Sequence, residues 1–146
     1  MRKRGILFLL IFLALAGFIV FTSTNSGNSH NELGGRTIAW INEHIFANTL
    51  TASECDSIVG VSAKLFGHFS LFLLDGLFLY LFLRETKLKG KAVYLIFILI
   101  GIALSSIGEI VQIFSDGRYP SVFDVILDFS GFFLPLLFVF AGKANQ

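Results

Sequence analysis

The sequence predicts an all-α membrane protein with four transmembrane helices and a short amphipathic helix in its first outer loop. Three observations predict it. The 146 residues are 55% hydrophobic and only 14% charged, whereas soluble domains carry about a quarter charged residues. The apolar residues gather in four blocks, each near the ~20 residues that span the hydrocarbon core. In a bilayer only helices and closed barrels satisfy the backbone, and blocks of this length mean helices. A single membrane domain, residues 1–146, accounts for the chain.

The first span covers about residues 5–21 and follows Arg2, Lys3 and Arg4. Ala14-Leu15-Ala16 imitates a signal-peptide cleavage site. The apolar run continues past it through Phe18-Ile19-Val20-Phe21, which favours an uncleaved signal anchor. The second span, 65–83, is interrupted by Asp75. The third, 92–114, carries Glu109 and Gln112 near its far end. The fourth, 122–141, carries Asp124, Asp128 and Pro135.

Orientation follows from the excess of Lys and Arg in cytoplasmic loops. Arg2, Lys3, Arg4, Arg84, Lys87, Lys89, Lys91 and Lys143 fall on one side. Arg36, Lys64 and Arg118 remain for the other. Both termini are therefore expected in the cytoplasm, with loops 22–63 and 115–121 facing outward from the cell membrane.

The long outer loop opens with a Ser/Asn/Gly-rich linker over 22–31. Ile38, Trp40, Ile41, Ile45 and Phe46 then recur at near-helical spacing. They predict a short amphipathic helix with Trp40 at headgroup level. A helix packed over the bundle mouth is the alternative. Thr51-Ala52-Ser53-Glu54 fits a capping box, so the second span is expected to start as a helix outside the membrane. One cysteine, Cys55, excludes an intramolecular disulfide. No P-loop, HExxH or CxxC occurs, and no basic run with interleaved aromatics suggests nucleic acid. No cofactor or metal is called for.

Ionisable residues at membrane depth are expensive and mark function. The sequence offers Lys64, His68, Glu109, Gln112, Arg118, Asp124 and Asp128, with Asp75 deeper. Positions three, four, seven or eleven apart share a helix face. Lys64, His68 and Asp75 share one face of the second helix. Ser105, Glu109 and Gln112 share one of the third, and Asp124, Asp128, Gly131 and Pro135 one of the fourth. At the helical rise, His68 lies roughly 5 Å inside its span, Glu109 about 8 Å and Asp128 about 10 Å, with Asp75 at about 15 Å. Facing stripes would make a polar pocket open to the outside. The alternatives are structural: Asp124 as the cap of the fourth helix, Lys64 snorkelling, His68 as an interhelical donor, and Arg118 neutralising one carboxylate. Gly101 and Gly108 suit close helix packing.

These residues resemble the VanZ-like family of small membrane proteins over nearly the whole chain. Lys64-Leu65-Phe66-Gly67-His68-Phe69 with Gly76 resembles that family's Lys-Leu-x-His-Phe segment, one residue longer between Lys and His. Glu109-Ile110-Val111-Gln112, Arg118, Ser121-Val122-Phe123-Asp124-Val125, Asp128 and Gly131 resemble its second signature. Phe21-Thr22-Ser23-Thr24-Asn25 resembles the linker that follows the family's first helix. Gly108 stands where the family often has an acid, Leu71-Phe72 where Glu-Tyr is common, and Asp75 where Leu is usual. The resemblance implies a cell-envelope role, the founding member being linked to resistance to the glycopeptide teicoplanin.

Three functions follow as expectations. One is a binder whose outward site, formed by His68, Glu109, Gln112, Arg118, Asp124 and Asp128, takes a lipid-linked cell-wall precursor or a glycopeptide. The second is a membrane enzyme using His68 with Glu109 or Asp128 as acid and base, for which no nucleophile stands out. The third is a structural or regulatory subunit.

Overall fold

A computed structural model describes residues 3–24, 39–46, 48–49, 51–55, 58, 61–88, 90–115 and 120–144; at helix positions 52, 55, 61, 63, 64 and 139–144 it describes the backbone alone. Four long helices make up the bundle: α1 (Lys3–Thr24), α2 (Val61–Glu85), α3 (Lys91–Gln112) and α4 (Val122–Ala144). No strand occurs among the described residues. Three helical stretches, Lys3–Thr24, Leu65–Glu85 and Lys91–Gln112, are long and apolar enough to cross a membrane. The fourth helix has 23 residues and carries Asp124 in its first turn. α1 and α2 overrun their apolar blocks at both ends, and α4 overruns its block at the C-terminal end alone. The third instead closes at Gln112, after which the chain turns through 113–115.

The helices close a ring in the order α1, α2, α4, α3, with α2 and α3 also touching across the middle. The core is largely aromatic. Phe72, Leu79, Tyr80 and Leu83 of α2 meet Phe97 and Leu104 of α3, and Phe132 and Leu136 of α4. Phe12 and Ile19 bring α1 into the same cluster. The Phe97 and Phe132 rings lie 4.8 Å apart, and Tyr80 meets Phe97 edge-on at 6.4 Å. Each such pair adds roughly 0.5–1.5 kcal/mol beyond its buried area.

The tightest seam joins α2 to α4. A Cβ on Gly76 would overlap the Phe132 carbonyl oxygen, and one on Gly131 would lie 2.5 Å from the Phe69 carbonyl oxygen. Here backbone meets backbone. The pairs His68–Asp128, Phe69–Gly131 and Gly76–Phe132 ascend together, so the two helices run in the same direction. Gly101 sits under the Phe132 ring, as its expected packing role requires, whereas Gly108 has only an ordinary contact with Ser23.

The ends are tied by hydrogen bonds. The Ser115 hydroxyl reaches the carbonyls of Ser23 (3.1 Å) and Thr24 (3.2 Å), satisfying the C-terminus of α1. Gly90 begins α3 at φ 60°, ψ −135°, a conformation that suits only glycine. The capping box forms as the sequence predicts. Thr51 N–H donates to Glu54 at 2.9 Å and Glu54 N–H to the Thr51 hydroxyl at 3.3 Å. The Thr51 hydroxyl also donates to Glu54 Oε2 at 2.6 Å, and this bond, with that from the Thr51 N–H, holds the Glu54 carboxyl below its usual range. These bonds cap the one-turn helix Ala52–Cys55, however, whereas α2 starts at Val61.

The amphipathic helix in the outer loop is not established at its expected length. Residues 39–44 are helical, and the chain turns at 45–46 before Asn48 takes a positive φ of 58°. Asparagine tolerates that conformation. Trp40 and Ile45 are exposed, and Trp40 stacks on His44 at 4.6 Å. Arg36 and Ile38 lie outside the described residues.

Candidate functional site

Helical phase decides which polar groups meet. Residues 109 and 112 stand one turn apart on α3, and 124 and 128 one turn apart on α4. The packing of α3 and α2 against α4 turns these faces inward. Glu109, Gln112, Asp124 and Asp128 are all buried, Asp128 to 1% exposure. His68 keeps about a quarter of its side chain exposed, so the cluster has an open side at α2.

Each group is held. Imidazole Nδ1 of His68 lies 3.2 Å from Asp128 Oδ1, joining α2 to α4. The Gln112 amide donates to Glu109 Oε1 at 2.7 Å. The Ser121 N–H donates to Glu109 Oε2 at 2.9 Å, joining α3 to the start of α4. α2 and α3 are thus each tied to α4 or its start through a buried carboxylate.

The cap of α4 differs from the sequence expectation. Ser121, not Asp124, caps the helix: its hydroxyl accepts from Asp124 N–H at 3.4 Å. In an ordinary capping box the acid three residues on takes the cap residue's N–H. Here that N–H goes to Glu109 of another helix. Asp124 lies in the first turn, where the helix dipole favours a negative charge.

Other predicted residues part company with the cluster. Asp75 shares the sequence face of His68 but lies two turns, about 10 Å, further along. It is fully buried, and among the described residues neither carboxylate oxygen has a hydrogen-bond partner. Ser105 is equally buried but returns its hydroxyl to Gly101 O at 2.9 Å, a bond within its own helix. The Lys64 side chain and all of Arg118 lie outside what the structure describes. Among the described residues no three His, Cys, Asp or Glu side chains are arranged to hold a metal. Sequence reading missed the Ser121 amide as the partner of Glu109. The Ser121-x-x-Asp124 pattern marked the helix start, but nothing marked the long-range acceptor.

A family model described as VanZ/LLP1 matches residues 8–141. The chain belongs to the VanZ/LLP1 family. The match takes in α1 from residue 8, the whole of α2 and α3, and α4 as far as residue 141. Every residue of the polar cluster therefore lies within the VanZ/LLP1 region. No curated protein and no solved structure matches the chain.

Proposed function

We propose that this VanZ/LLP1 protein is a four-span protein of the cell envelope whose polar cluster faces outward. It binds a lipid-linked or cell-wall-related ligand and contributes to glycopeptide tolerance of the teicoplanin type. Both termini are then cytoplasmic, because the basic loop between α2 and α3 lies at the other end of the bundle. The observation that carries the reading is the His68–Asp128 pair between α2 and α4, together with the buried Glu109 that ties α3 to Ser121. Buried carboxylates joined to a part-exposed imidazole suit a ligand rich in donors, such as a sugar hydroxyl or an ammonium group. A purely structural bundle of this hydrophobicity gains little by burying charges.

The test is a set of isosteric substitutions, Glu109→Gln, Asp128→Asn and His68→Gln, each measured for membrane abundance and for teicoplanin sensitivity of the host. Unchanged abundance with lost tolerance is expected. Each lost charge-assisted bond should weaken binding of a labelled precursor by about tenfold or more. Falling abundance in all three variants would instead sink the pocket reading.

A second reading rests on the His68–Asp128 pair. A carboxylate that orients an imidazole is the arrangement used to prepare a general base. Turnover of a labelled lipid-linked precursor by purified protein, abolished in His68→Gln, would favour an enzyme.

A further inference from the structure

A groove of about 470 Å³ opens between α2 and α4 at the end of the bundle away from the polar cluster. Its walls are Leu73, Leu77 and Leu81 of α2, and Pro135 and Phe138 of α4. Volumes of 300–1,000 Å³ are typical of small-molecule sites. Phe138 is 68% exposed at its rim. Tyr80 and Arg84 finish the groove. The Arg84 guanidinium stands 6.0 Å from the centre of the Tyr80 ring. Among the described residues no carboxylate bridges Arg84.

The length of the groove is informative. From Leu73 to Arg84 the helix rises about 16 Å, close to half of the ~30 Å hydrocarbon core. The apolar walls thus run from mid-membrane to headgroup level within one leaflet. Arg84, Lys87 and Lys91 are exposed at that level, with Glu85 half-buried beside them. We infer that the α2–α4 groove seats one acyl chain of an anionic phospholipid, with its phosphate on Arg84. An aliphatic tail matches the leucine walls, and the phosphate supplies a counter-charge to Arg84, which no described carboxylate bridges. A second copy of the chain fits worse. A two-fold parallel dimer through this face would set Arg84 and Lys87 against their own copies.

The test is native mass spectrometry of the full chain in detergent, with equimolar phosphatidylglycerol and phosphatidylcholine of identical acyl chains. The wild type is expected to retain phosphatidylglycerol with about a fivefold preference, the usual effect of one basic residue at a membrane surface. Arg84→Gln should bring the preference close to parity. Leu77→Trp fills the groove and should lower retention of both lipids, with the melting temperature checking that the bundle persists. Equal retention of the two lipids by the wild type would overturn the proposal. So would an Arg84→Gln protein that keeps the full preference, or a dimer lost on Leu77→Trp.

Discussion

Replacing Asp75 by leucine is expected to favour membrane insertion of the second span by about 3 kcal/mol, roughly 100-fold. Asp75 is the middle residue of the apolar stretch Leu65–Glu85, where an aspartate is most expensive and a leucine most favourable. The measurement is a glycosylation-reporter assay on residues 61–85 held between reporter sites. Wild-type and Asp75→Leu segments giving equal insertion would show that the side chain does not reach the membrane centre. The folded protein adds a second arm. Both carboxylate oxygens of Asp75 are buried without partners, and an unsatisfied buried group costs about 1–3 kcal/mol. Asp75→Ala removes the carboxyl without adding volume, so the purified protein should melt at a higher temperature. Loss of tolerance in that stabilised variant would assign the carboxyl a task, since its structural contribution would already be known to be unfavourable.

Gly76→Ala and Gly131→Ala are each expected to destabilise the bundle by about 2–3 kcal/mol, near the top of the usual range for overpacking. The added methyl meets the backbone of Phe132 or Phe69, and a backbone cannot step aside as a side-chain tip can. The controls lie in the same helices or beside them. At Gly17 and Gly67 an added Cβ meets nothing within 4 Å. Gly17→Ala and Gly67→Ala should therefore be neutral or stabilising by up to about 1 kcal/mol, through helix propensity alone. Thermal unfolding in one detergent compares all four. A uniform response would mean that α2 and α4 do not meet through their backbones.

The helices were legible because hydropathy acts on every residue of a span at once. The convergence of Glu109, Gln112, Asp124 and Asp128 was legible because helical phase is rigid: residues three and four apart must share a face. Phase alone could not say which faces meet at which depth. His68 and Asp75 have equal claim to one stripe, yet only His68 stands level with a carboxylate on α4. The Ser121 amide escaped notice because a backbone donor carries no mark in the sequence. The glycines told a similar story. Gly101 and Gly108 looked like the packing positions, but the closest approach falls at Gly76 and Gly131, where the partner is a main-chain carbonyl.

The α2–α4 seam also has a mechanical consequence. Two helices that touch main chain to main chain at two levels move as a splint, with little play between them. His68 and Asp128 ride on that splint, so their separation is set by the stiffest part of the molecule. Glu109 rides on α3, which meets α4 through the Phe129 and Phe132 rings and through one carboxylate fastened to the Ser121 amide. Rings rotate and hydrogen bonds exchange far more readily than backbones part. Room for a guest is therefore easier to make between α3 and α4, where the Glu109–Ser121 bond is the tie to be exchanged, than between α2 and α4.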